Sequence, residues 1–201
     1  MYNEVFQKVS LYIFSGRATG TDILLRSCAE NFLSRYGQKV EVTSVVRDEK
    51  GAPRIAGDGM PYVSVSHSGD YTVCAVSDQK IGVDLQETRR LLGETEEEQA
   101  SRLMRLAKRF FHPGDTAWIE RDPIGRFFTV WSAKESYVKY TGDGIDDAFA
   151  LTKVIPEGGP FGSEWECDGM YYSSLPFAEN YSFCICCGHP AETETIFADL
   201  L

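Results

Sequence analysis

Tyr62–Gln86 reads YVSVSHSGDYTVCAVSDQKIGVDLQ, and it decides the fold. Apolar and polar residues alternate through it, and HSGD and SDQK break it with residues that favour turns. Three short strands joined by tight turns are therefore expected here. Upstream, TDILLRSCAENFLSRY (Thr21–Tyr36) repeats Ile23, Leu24, Cys28, Phe32 and Leu33 at helical spacing before Gly37. VEVTSVV alternates as a strand should, and KGAPRIAGDGMP is a loop. Downstream, TEEEQASRLMRLAKRFF predicts a second helix with a Thr95–Glu98 capping box and Pro113 as its stop. DPIGRFFTVWSAKESYVKYTG predicts a third, ended by Gly142, and short strands and turns such as PEGGPFGS follow.

The strand GDYTVCAV, from Gly69, has an echo in ENYSFCIC, from Glu179. Both hold an aromatic, a hydroxyl residue and a cysteine at matching offsets. The pattern predicts an α+β fold of two pseudo-symmetric halves, 1–93 and 94–201, each a long helix on a small antiparallel sheet. A ligand would then lie in the cleft between them.

At 43% hydrophobic and 12% aromatic residues over 201, the composition is that of a globular chain. No apolar run reaches the roughly 20 residues of a membrane helix, and MYNEVFQKVSLYIFS lacks the layout of a signal peptide. A soluble cytoplasmic protein, with no membrane partner, is expected. The formal charge of −10 opposes general nucleic-acid binding, so a polyanionic ligand needs a local cluster of cations. Cys184, Cys186 and Cys187 crowd into YSFCICC, which reads as a buried strand. Cys184, Cys187 and His189 leave a weak zinc alternative.

Three places could do chemistry. SVSHSGD sets Ser66, His67 and Ser68 at a strand end, where a histidine can simply fill a junction. IGVDLQET places Asp84 inside an apolar strand after a glycine, costly unless the carboxylate is paired or meets a cation. Gln86 and Thr88 share its face by the period of two, forming an oxygen row suited to Mg²⁺. A turn-capping aspartate is the plain alternative. In WSAKESYVKYTG, Glu135 and Lys139 lie one helical turn apart, with Trp131 a turn earlier and Lys134 beside it. Such spacing makes an exposed ion pair worth about 0.3–0.5 kcal/mol, or a metal oxygen and a cation aimed at one phosphate.

Taken together, GVDLQ, then 46 residues between Asp84 and Trp131, then WSAKESYVK resemble the signature of the 4′-phosphopantetheinyl transferases. SHSG, AKRFF and GDGI fit the same family, and the likeness runs from about Pro61 to Ile145. Chain length resembles the surfactin-synthetase-activating, single-chain type with two halves, so a monomer is expected. The resemblance implies transfer of the 4′-phosphopantetheine arm of coenzyme A to a serine of an apo acyl or peptidyl carrier protein, releasing adenosine 3′,5′-bisphosphate. It implies Mg²⁺ held by Asp84 and Glu135, with Glu135 receiving the serine proton and Lys139 neutralising phosphate charge. Ser66, His67, Thr88 and Lys134 are implied coenzyme contacts. Gln86 stands where many relatives have a second acidic ligand, and Ala52 replaces a loop lysine, leaving Arg54 or Arg47 to supply the cation. Arg102, Arg105 and Arg109 share one side of the second helix, as a docking stripe for acidic carriers or a solvated face. Two other functions stay open: a non-catalytic coenzyme A or nucleotide-binding module, and a Mg²⁺-dependent nucleotide pyrophosphohydrolase.

Overall fold

The computed structural model describes residues 6–18, 20–144 and 147–198. Its elements in chain order are β1 (Gln7–Ser15), α1 (Thr21–Arg35), β2 (Val45–Arg47), β3 (Pro53–Ile55), β4 (Tyr62–Ser68), β5 (Tyr71–Ser77) and β6 (Ile81–Glu87). Then come α2 (Glu96–Phe110), α3 (Pro113–Ile119), α4 (Pro123–Thr141), α5 (Asp147–Leu151), β7 (Glu164–Cys167), β8 (Met170–Ser174), β9 (Tyr181–Cys187) and β10 (Ala191–Ala198). The α+β class is thus observed. Ile145, the end of the GDGI stretch, lies outside the described residues, as do the start of the first expected half and the end of the second.

Two four-stranded sheets form, in the orders β10-β1-β5-β4 and β6-β9-β8-β7, beside a β2–β3 ribbon. The second sheet is antiparallel throughout, but β10 pairs with β1 in parallel, so the first is mixed. Nor do the sheets divide the chain at residue 93. Strand β6 joins the second sheet, and β10 returns from the far end of the chain to the first.

The period of two along the strands sorts the core into layers. Tyr12, Phe14, Cys74 and Val76 face α1, whose Leu25, Cys28 and Phe32 cover them. The opposite face, Leu11, Ile13, Val73 and Ala75, meets Val83, Leu85, Phe183 and Ile185 of the second sheet. Tyr172, Cys184 and Cys186 face away and are covered by Leu103, Phe127 and Val130 of α2 and α4. All six cysteines are buried and free. Cys184 and Cys187 belong to opposite faces of β9, so the zinc alternative fails on geometry.

Between the sheets runs an unusual seam. Ser64, Ser66 and Ser68 of β4 accept from the N–H groups of Val83, Leu85 and Glu87 of β6, at 3.1, 3.1 and 2.9 Å. Hydroxyls spaced by two stand in for a main-chain ladder, satisfying the backbone donors of an edge strand.

Local signals explain most of the helices. The Thr95–Glu98 capping box is present, and Gly142 closes α4 at φ 81°. Pro113 behaves differently from the expectation. Helix α2 ends on its own at Phe111, and Pro113 opens α3, with His112 capping the Gly114 N–H. A proline fits the first helical turn because its missing N–H would go unpaired there anyway. VEVTSVV supplies only the short β2 instead of a full strand.

Candidate active site

The site begins with a glycine. Ile81, Val83 and Leu85 of β6 turn toward the other sheet, leaving Gly82 and Asp84 toward α4. A Cβ on Gly82 would lie 1.8 Å from the Ser136 carbonyl oxygen and 2.6 Å from the Tyr140 nitrogen. Only a residue without a side chain lets the α4 backbone press on the strand here. That approach sets Glu135 and Lys139, one turn apart on α4, over Asp84.

Asp84 is 5% exposed. Its Oδ1 accepts from Lys139 Nζ at 2.8 Å and from the Ser66 hydroxyl at 3.0 Å. Ser66 also accepts from Lys139 Nζ at 2.9 Å and from the Leu85 N–H at 3.1 Å. A hydroxyl has one proton and two lone pairs, so Ser66 is saturated. Asp84 Oδ2 is buried with no hydrogen-bond partner among the described residues. Burial pushes the Glu135 carboxyl up, the Asp84 charge adds to the rise, and Lys139 opposes it.

These groups line a cavity of about 430 Å³ with Arg47, His67, Gln86 and Trp131. Thr21, Val65 and Leu85 complete the wall and could not have been singled out from the sequence, because they gather only through the packing of α1, β4 and β6. Arg47 is held at the start of α1 by Asp22 and by the Thr21 hydroxyl at 3.2 Å. His67 is exposed at the rim, and Gln86 Nε2 donates to the Glu87 carbonyl at 2.9 Å.

Three of the expected site residues are elsewhere. Arg54 pairs with Asp48 at 3.6 Å and lines a neighbouring 510 Å³ cavity, which shares Lys139. Thr88 lies just past β6, its N–H bound to the Asn180 carbonyl at 2.7 Å. Lys134 faces away from the cavity. It is 1% exposed and pairs at 2.9 Å with Asp115, which the sequence reading did not single out. HPGD was the missed signal, a helix start with an acid in its first turn.

An orphaned carboxylate oxygen, a second carboxylate whose charge is disfavoured by burial and by the first, and an amide fit a hard divalent cation. Arg47, His67 and Lys139 around them fit phosphate oxygens. Such a set could hold a polyphosphate beside a carboxylate able to take up a proton.

The family model of the 4′-phosphopantetheinyl transferase superfamily matches residues 80–186. A 4′-phosphopantetheinyl transferase of Bacillus subtilis is 27% identical over 179 residues, 84% of this chain and 72% of that one. The transferase Sfp of Bacillus subtilis strain 168 is 26% identical over 74% of this chain and 64% of its own length. The transferase HetI of a Nostoc species is 36% identical over 54% of this chain and 47% of its own length.

Proposed function

Since the chain belongs to the 4′-phosphopantetheinyl transferase superfamily, we propose that Asp84, Glu135 and Lys139 move the phosphopantetheine arm of coenzyme A onto a carrier-protein serine. Membership makes the chain a transferase of this class, acting on carrier proteins. What supports the residue assignment is that Glu135 and Lys139 line one cavity with Asp84, whose Oδ2 is buried and orphaned.

In this reading Asp84 and Glu135, with Gln86, would hold Mg²⁺, which when bound supplies charge stabilisation to pyrophosphate oxygens. Arg47 and His67 bind phosphates of the coenzyme from the rim. Lys139 exchanges its contact with Asp84 for the phosphoryl group under attack, a point charge where negative charge builds up. Glu135 accepts the proton of the attacking serine. The serine oxygen bonds to phosphorus as the bond to the leaving phosphate breaks, and adenosine 3′,5′-bisphosphate departs. Ser66, its hydrogen-bonding capacity spent, orients Asp84 and Lys139 instead of binding phosphate in this arrangement.

Two pseudo-symmetric halves remain part of the proposal. The echoed strands β5 and β9 are internal in their sheets, under α1 and α4, and Tyr71 and Tyr181 of the echo touch edge to face at 5.3 Å. A monomer acting in the cytoplasm agrees with a single-chain site, and among the described residues no helix is long and apolar enough to cross a membrane.

The test is the intact mass of an apo carrier protein after incubation with this protein, coenzyme A and Mg²⁺. A gain of one phosphopantetheine arm, lost in Glu135→Ala, supports the assignment. Coenzyme A breakdown without a carrier would favour the pyrophosphohydrolase, and binding without turnover the inactive module.

A further inference from the structure

Lys134 precedes Glu135 in the chain but projects to the other side of α4. Its ammonium has three N–H donors. They meet Asp115 Oδ2 at 2.9 Å, the Phe149 carbonyl at 3.2 Å and the Thr152 carbonyl. None is left for a ligand. Asp115, 0% exposed, is equally engaged, its Oδ1 accepting from the N–H groups of Val154 at 3.2 Å and Ile155 at 3.0 Å. The pair thus ties α3, α4 and residues 149–155 into one unit.

That unit reaches the cavity wall. The ammonium lies 5.5 Å and 5.6 Å from the ring centroids of Phe111 and Phe149. The same two rings each lie 6.1 Å from Trp131, which lines the cavity one turn before Glu135. We infer that Lys134 is a positioning residue: through Asp115 and the two phenylalanines it fixes the turn of α4 that carries Trp131 and Glu135, and it does not bind coenzyme A. The activity readouts of this inference rest on the transferase reading; its binding and folding readouts do not.

A buried pair costs little when both partners are neutralised together, but removing one leaves an uncompensated charge. The test therefore compares Lys134→Met, Asp115→Asn and the double variant with the unaltered chain. Measured are the thermal midpoint, Trp131 emission (subtracted with Trp131→Phe), the Kd of coenzyme A, and kcat and KM for transfer. Displacing a general base by about 1 Å costs on the order of 100-fold. Lys134→Met and Asp115→Asn should both lower the midpoint, shift the Trp131 emission and reduce kcat at least about tenfold, with the Kd of coenzyme A changed less than about threefold. The double variant should recover midpoint and emission beyond either single one.

The inference is overturned if Lys134→Met weakens coenzyme A binding about tenfold or more while Asp115→Asn leaves kcat and emission alone, since Lys134 would then be a ligand. Should Lys134→Met not fold, Asp115→Asn decides: loss of kcat at constant Kd supports the inference, and unchanged kcat and emission overturn it. If the unaltered chain transfers nothing to any carrier, the transferase reading fails, while Kd, midpoint and emission still decide the role of Lys134.

Discussion

Gly82 shows how one missing methyl group makes the site. Alanine there would place its Cβ within 1.8 Å of a main-chain oxygen, and a backbone atom cannot swing aside as a side chain does. Helix α4 must lift, at a cost of about 1–3 kcal/mol or more for overpacking. Lifting it also separates Glu135 and Lys139 from Asp84, so Gly82→Ala should lose on the order of 100-fold in transfer. Melting and carrier-mass kinetics on the same preparation would check both; full activity in a destabilised variant would refute the link. Gln86 is the second decisive residue. Gln86→Glu adds a third carboxylate oxygen source beside Asp84 and Glu135, so it should tighten Mg²⁺ binding, read by calorimetric titration of the protein alone. Unaltered affinity would mean that this side chain does not reach the ion.

Helix α2 carries two predictions. Thr95 accepts from the Glu98 N–H and Glu98 returns the bond, so Thr95→Ala should cost about 1 kcal/mol in a denaturant melt. The basic stripe is shorter than its spacing implied, because Arg102 is paired twice with Glu94, at 2.7 and 3.0 Å. Arg105 and Arg109 remain exposed. If they meet an acidic carrier, charge reversal at both should raise the carrier KM several-fold and leave coenzyme A binding intact. An unmoved KM would make the stripe a solvated face. At this scale the limits of sequence reading are also visible. Strands β4 to β6, the capping box and the Gly142 stop were legible because each is set by neighbours a few positions away. The directions of Asp84, Glu135 and Lys139 toward one cavity were legible because a strand period and a helix turn fix them. The direction of Lys134 was not legible because it depends on Asp115, brought to it by tertiary packing. Pro113 was misjudged because proline marks a helix start as readily as a stop. Strand β1 and its parallel partner β10 are paired only by the return of the distant chain end.

Across the molecule, the buried cysteines tie stability to pH. Burial pushes the thiols of Cys167 and Cys187 up from near 9 to about 11 and about 12. Cys184 and Cys186 are raised by burial as well, and Cys74 by its contact with Cys28 and by burial. In the unfolded chain these thiols ionise near their ordinary value, whereas the fold keeps them protonated. Their contribution is therefore complete below pH about 9 and is lost as pH climbs from there through about 11–12, each group changing stability by about 1.4 kcal/mol per pH unit in that window. Lys134 acts with the opposite sign. Burial lowers its pKa despite Asp115, so the unfolded chain binds the extra proton and stability rises with pH over its window. One lysine stands against five thiols and against Tyr12, Tyr36, Tyr140 and Tyr172, which burial also raises, so the alkaline loss dominates. With a total stability of about 5–15 kcal/mol, the fold should fail at alkaline pH, above about 9. Urea melts under reducing conditions at pH 7, 8.5, 9.5 and 10.5 would follow this, expecting a flat midpoint to about 8.5 and a steep fall beyond. Cys186→Ala, one thiol fewer inside the core, should lower the midpoint at pH 7 by leaving a small void and shallow the alkaline slope by about one proton. A midpoint unmoved between pH 8.5 and 10.5 would mean that the thiols ionise in place or that an opposing group outweighs them.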